Sequence, residues 1–292
     1  MKKNNKISNR GKEENSRGRI RGIRGGGRGG GKVGVYSKKF SKAITTVEPH
    51  RLEGVYIIKS DKGEFLATKN LLSGESLNGE KLITIEEAKE DNIYFESASK
   101  NIMSNNNNKN KVEYRIWDAF YSKLGATIIN GIRDIFIKPG FKVLYLGAGS
   151  DSYVTISHIS DLVGEEGIVY GVEMSEIKGL DLKNMAEKRE NIIPIINDAR
   201  KPFNYKNIIT NLVDCILVDI SSQDISSIIS INAASFLKNK GGFICLINNE
   251  SQPNKIDEQI KLLREKNLYA KELLTLDPYK TGYTTLAGIY KP

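Results

Sequence analysis

The 292 residues carry 44 Lys and Arg against 35 Asp and Glu, a formal net charge of +9, and 39% hydrophobic side chains. That length gives one large domain or two small ones and can bury a real core, since a domain of about this size hides roughly 70–75% of its unfolded surface. No run approaches the roughly 20 apolar residues of a membrane span, and the two cysteines, Cys215 and Cys245, each inside an apolar run, read as core thiols of a reducing compartment.

The basic N-terminus leads into Asn, Arg and Gly rather than an apolar segment, so no secretory signal is expected. Residues 1–40 hold 13 of the basic residues and only Glu13 and Glu14 as acids, a net of +11; the other 252 residues carry 31 basic and 33 acidic side chains, a net of −2. The segment RGRIRGIRGGGRGGGKVG, from Arg17 to Gly34, cannot bury enough surface to offset the entropy of ordering it, so residues 1–44 read as a disordered Gly/Arg-rich tail. Arginines that contact phosphates and stack on bases, on a glycine-freed backbone, make it an RNA-binding arm; the plainer alternative is a solubilising or localising extension with weak, salt-sensitive contacts.

Residues 45–95 alternate short apolar runs with turn signals, and Asp61-Lys62-Gly63 between two such runs predicts a hairpin. A small β-rich domain is expected over 45–111, with an Asn-rich surface insertion, ESASKNIMSNNNNKNK, at about 96–111. Just beyond it, Trp117 and Tyr121, four residues apart, read as a packed helical face. From Val112 to Pro292 strands and helices alternate: apolar strands at 142–146, 168–173, 191–196 and 213–219, a helix through His158 that stops at Gly164, a Lys-rich helix at 180–190, and one running to about Lys238. A strand after Gly241-Gly242, a helix over 255–267 and strands near 269–276 and 283–290 complete the pattern. Short strands that are apolar on both faces, separated by helices, mean a parallel sheet covered on both sides, an α/β fold.

In such a sheet ligands bind beyond the carboxyl ends of the strands. Those ends read Gly147-Ala148-Gly149, Glu173, Asp198 and Asp219. The glycines let backbone approach a ligand, Glu173 ends the second strand where an acid accepts ribose hydroxyls, Asp198 can accept from an adenine amino group, and Asp219 sits beside the reacting centre. A dinucleotide serves the same pattern, but position 152, where G-x-G-x-x-G has its third glycine, is Ser, so an adenosyl sulfonium without pyrophosphate fits better.

The segments TVEPHRLEGVYI (46–57), TKNLLSGESLNGEK (68–81), VEYRIWDAFYSKLGA (112–126), KPGFKVLYLGAGS (138–150), NIIPIINDARKP (191–202) and LTLDPYKTGY (274–283) resemble the fibrillarin family from about residue 45 to the C-terminus. The Gly/Arg tail is similar to that of the eukaryotic form. The resemblance implies a Rossmann-like class I S-adenosylmethionine methyltransferase sheet over 112–292, preceded by the small β-rich N-terminal domain. It implies ribose 2′-O-methylation of ribosomal RNA, with box C/D guide RNA, a Nop-type scaffold protein and a kink-turn-binding protein as partners, in the nucleolus of the nucleus. A guide RNA that selects targets by base pairing would explain why a folded part of net −2 has no large basic groove.

The same resemblance implies cofactor contacts from Gly147, Ala148, Gly149, Thr155, Ile156, Glu173, Met174, Asp198, Ala199, Asp219, Ile220, Ser221 and Ser222. It implies catalytic roles for Lys69, in the TKN motif, and Asp219. A second Lys and a His of the family's catalytic set fall at Glu250 and Tyr283, and the glycine turn carries about two extra residues before Ser157. A carboxylate at the second Lys position would oppose a developing alkoxide, so Lys69 with Asp219, or Lys255 reaching in, are the candidates to replace it. The alternative is a structural subunit that keeps the fold after losing catalysis.

Overall fold

Period-two alternation between turn residues builds the first sheet. Strands β1 (Thr46–Pro49), β2 (Val55–Ser60), β3 (Gly63–Lys69), β4 (Leu82–Glu87) and β5 (Asn110–Ile116) form an antiparallel five-stranded sheet in the order β1-β2-β3-β5-β4. Ser60 pairs with Gly63, so Asp61 and Lys62 are the hairpin turn. The computed structural model describes residues 45–77, 79–87, 110–249 and 256–292, and these lie in one compact unit, Ala43–Pro292. The Gly/Arg tail and the Asn-rich insertion through residue 109 lie outside the described residues. Asn110 and Lys111, which the sequence assigned to that insertion, open β5, and the N-terminal sheet therefore runs to Ile116, past the expected boundary at 111.

The second sheet has seven strands: β6 (Lys142–Leu146), β7 (Ile168–Glu173), β8 (Ile192–Ile196), β9 (Val213–Val218), β10 (Leu237–Asn248), β11 (Leu268–Thr275) and β12 (Tyr283–Tyr290), in the order β11-β12-β10-β9-β6-β7-β8. Only β12 runs antiparallel to its neighbours β10 and β11, the hairpin-like finish of an otherwise parallel sheet. Alternate side chains of β6 enter opposite cores: Val143 and Tyr145 pack with α1 (Lys123–Ile129), α2 (Tyr153–Val163) and α3 (Glu176–Lys188), while Leu144 and Leu146 pack with α4 (Ile225–Phe236) and α5 (Ile256–Glu265). Two buried faces are why these strands read as continuous apolar runs. Cys215 and Cys245 sit on opposite sides of the sheet, and burial pushes the Cys245 thiol up to about 12. Among the described residues no helix is long and apolar enough to cross a membrane.

Two local readings are corrected. Residues 117–121 are a turn, because the Asp118 carboxylate accepts the Phe120 N–H at 2.8 Å and the helix begins only at the Ser122 cap. Trp117 is buried and stacks on His158, ring centroids 4.8 Å apart, whereas Tyr121 is 67% exposed. The helix expected to reach Lys238 ends at Phe236, where Leu237 turns extended to pair with Val213.

The first sheet is joined to α2 through a buried ionic cluster. Asp161 accepts Arg115 at 2.7 and 2.9 Å, Arg189 at 2.6 Å, the Thr68 hydroxyl at 2.9 Å and the Leu71 N–H at 3.2 Å. Thr68 gives its proton to Asp161, so it accepts from Nδ1–H of His158 at 2.8 Å, which leaves Nε2 of that ring unprotonated and without a partner. Burial first, then Arg115 and Arg189, hold the His158 pKa well below its ordinary 6.5. The unfolded chain therefore takes up a proton near pH 6.5 that the native state refuses, and stability present above that pH is lost as pH falls below it. Urea unfolding is expected to lose up to about 1.4 kcal/mol per pH unit from this group below pH 6.5, a slope absent in His158→Asn.

Candidate active site

Strand order reverses between β6 and β9: β7 and β8 follow on one side, β10 on the other. Because β6 and β9 are parallel neighbours, Leu146 opposite Val218, a crevice opens just beyond their carboxyl ends. A cavity of about 740 Å³ lies there, within the size range of small-molecule sites. Its wall includes Gly147 and Gly149 after β6, Glu173 at the end of β7 and Met174 after it, Asp198 and Ala199 after β8, and Asp219 to Ser222 after β9.

Gly147 has φ +92°, and a Cβ there would sit 2.3 Å from the Asp219 carbonyl oxygen, so only glycine lets β6 and β9 end side by side. A Cβ on Gly149 would lie 2.9 Å from Oε2 of Glu173, filling a concavity that the bare backbone leaves open. The other oxygen of Glu173, Oε1, accepts the Ser175 N–H at 2.8 Å, while Oε2 faces Gly149. Asp198 is bound at 2.9 and 3.1 Å by Nε of Arg200, whose hydrogen bond is the main cause of its lowered pKa.

Asp219 is an enclosed carboxylate of the wall, its side chain 4% exposed. Oδ1 lies 2.5 Å from Nζ of Lys123, and Oδ2 accepts the Tyr145 hydroxyl at 3.0 Å and the Ser152 hydroxyl at 2.9 Å. Burial, with Asp219 second, drives the Tyr145 pKa well above 10, which keeps that phenol a donor. The Lys123 ammonium also sits 4.6 Å above the Tyr283 ring. Ser152, at the place of the missing third glycine, closes the short 3-10 turn Ser150–Ser152 and shares its hydroxyl proton with the Gly147 carbonyl at 3.1 Å.

The structure thus gathers most of the sequence-derived residues but not all. Ala148, Thr155 and Ile156 are buried behind the wall. Thr155 bonds Ser122 at 2.8 Å and Ile156 packs in the core, because those helix positions face α1 and the first sheet rather than the crevice. Lys69 stands apart, exposed at the end of β3 and outside the cavity wall, and the cation bound to Asp219 is Lys123. Strand alternation explains this, since Thr68 points at α2 and its neighbour must point the other way. Tyr283 lines the cavity; Glu250 and Lys255 lie outside the described residues.

Lys123 and Lys280, with Asp151, Lys178, Asn197 and Arg200, are among the wall residues that sequence reasoning passed over. A signal for Lys123 existed: it is the first residue of α1 after the Ser122 cap, where the helix dipole disfavours a cation unless an acid faces it.

Comparison with known proteins places these features in a family. The family model described as Fibrillarin matches residues 47–292. The rat rRNA 2′-O-methyltransferase fibrillarin is 42% identical over 252 residues, 84% of this chain and 70% of its own length. The crystal structure of Aeropyrum pernix fibrillarin with natively bound S-adenosyl-L-methionine superposes with a TM-score of 0.70 at 29% identity, over 85% of this chain and 99% of that one. A fibrillarin/Nop5p complex matches with a TM-score of 0.60 at 27% identity, over 83% of this chain and 100% of that one.

Proposed function

The chain belongs to the fibrillarin family, and we propose that it methylates ribose 2′-hydroxyls of ribosomal RNA with S-adenosylmethionine, within a box C/D guide-RNA particle, in support of pre-rRNA processing. The observation that carries this reading is the Lys123–Asp219 pair, set in the wall of a cavity that also offers a glycine cradle and Glu173. The residues fit the cofactor: Gly149 presents bare backbone at the wall where a Cβ would crowd Glu173, and Oε2 of Glu173 is turned toward Gly149 to accept hydroxyls. Glu173 would hold the ribose, Asp198 and Ala199 the base, and Ile220 to Ser222 the side beyond β9. When bound, S-adenosylmethionine supplies an electrophilic methyl group.

The chain's own residues supply position and charge. Tyr145 and Ser152 orient Asp219, Asp219 orients Lys123, and the ammonium of Lys123 stabilises negative charge that grows on the target oxygen. With two donors already on Oδ2 and Lys123 on Oδ1, Asp219 acts as a positioning residue. The guide RNA, a Nop-type scaffold protein and a kink-turn-binding protein would complete the particle, the second supported by the Nop5p complex of a relative. A net charge of +11 in residues 1–40 supports contact with RNA phosphates. Eukaryotic relatives support a nuclear address, and we assign the chain to the nucleolus within it.

Transfer of a radiolabelled methyl group to a target RNA in a reconstituted particle tests the reading. Label at the guided ribose is expected. No transfer, with assembly and S-adenosylmethionine binding intact, would leave a structural subunit in its place.

A further inference from the structure

Four cationic side chains line the cavity, and three are committed to carboxylates. Lys123 holds Asp219 at 2.5 Å, Arg200 holds Asp198 at 2.9 Å, and Lys178 lies 3.7 Å from Asp151. Lys280 has no carboxylate partner among the described residues, although it is half-buried. Its backbone is fixed on the loop between β11 and β12: the Lys280 N–H donates to the Leu276 carbonyl at 2.9 Å, and its carbonyl accepts the Tyr283 N–H at 3.2 Å.

A methyl transfer to a hydroxyl must send a proton somewhere, and the wall has few free lone pairs. Both oxygens of Asp219 are engaged, Asp198 is clamped by Arg200, and the Lys123 amine is taken up by Oδ1 of Asp219. Lys280 is in the opposite situation, partly withdrawn from water beside the ammonium of Lys123. Burial chiefly, then Lys123, lower its pKa from the ordinary 10.5, while Asp219, Asp118 and Asp151 act against them. Tyr121 and Tyr283, with Asp151 and Glu173, are the remaining titratable groups of the wall.

From this arrangement we propose that Lys280 is a catalytic residue that accepts the proton of the ribose 2′-hydroxyl, in the same cavity wall as Lys123. The proposal rests on the function given above. The O–H bond breaks and its electron pair stays on oxygen to form the new carbon–oxygen bond. The methyl–sulfur bond breaks with its pair going to sulfur, and the proton ends on the lone pair of the Lys280 amine, from which solvent removes it.

The test compares the wild-type full chain with Lys280→Ala and Lys280→Arg in single-turnover guided methylation across pH. Both substitutions are expected to slow transfer by about 10²-fold or more while S-adenosylmethionine binding is kept, and both should abolish the fall in rate expected of wild type at low pH. Added methylamine should restore part of the rate to the alanine variant and none to the arginine variant. Independently of turnover, acetic anhydride labelling of the free chain, read by mass spectrometry, should give Lys280 a lower pH midpoint than the exposed Lys62. Arginine with wild-type rate and pH profile, alanine without effect, or a Lys280 midpoint equal to that of Lys62 would each overturn the proposal. If wild type itself transfers no methyl group, the proposed function falls instead, and the labelling midpoint still reports on Lys280 alone.

Discussion

Replacing Lys123 with alanine is expected to lower single-turnover methylation by about 10²-fold or more, with S-adenosylmethionine binding changed only a few-fold. Three donors converge on the carboxylate of Asp219, and only Lys123 brings charge. Its Nζ is held between Oδ1 of Asp219 and the face of the Tyr283 ring, 4.6 Å from the ring centroid, so its position is fixed before any RNA arrives. A preorganised charge in a partly desolvated wall stabilises a developing alkoxide far more than the same charge in water. The cradle at Gly147 and Gly149 and the acceptor at Glu173 are independent of Lys123, which is why binding should persist while transfer fails.

Lys69→Ala in the same assay separates the structural reading from the one drawn on motif likeness. With Lys69 exposed on the far side of β3 and outside the cavity wall, transfer should stay at the wild-type rate. A large loss at Lys69 with none at Lys123 would reverse the assignment of the Asp219 partner.

What was legible followed from periodicity and from position. Alternating strand and helix placed the parallel sheet, and the rule that ligands lie beyond strand ends found Glu173, Asp198 and Asp219 together, because backbone topology alone fixes where a strand ends. What the sequence left open depended on the direction of a side chain. Thr155 and Ile156 lie on the right helix but face the core, and Lys69 follows the right motif but takes the solvent side of a pleat. Lys123 comes from a separate short helix whose approach to β9 is a tertiary fact, and Lys280 from a loop joining the last two strands. No local pattern records such pairings, which span 96 residues in the case of Lys123 and Asp219.

Asp161→Asn is expected to cost about 3–5 kcal/mol of stability, lowering Tm by roughly 6–20 °C for a unit of this size. Asp161, Arg115 and Arg189 have side chains 0%, 0% and 1% exposed, and the two guanidiniums are balanced by Asp161 and, at 3.2 Å from Arg115, Glu80. An amide of the same shape keeps the cavity filled but removes a charge, so two buried cations are left sharing one carboxylate. Its NH₂ would also face the Thr68 hydroxyl or the Leu71 N–H, donor against donor. Urea and thermal unfolding measure the loss, with the exposed Glu64→Gln as a near-neutral comparison. A change below about 1 kcal/mol would mean that water reaches the cluster and that apolar packing of Trp117 and Leu66 against α2 carries the junction instead. The expected loss is large because the first sheet meets α2 here through groups that cannot be rehydrated one at a time: Thr68, Leu71 and Arg115 all end on the same carboxylate.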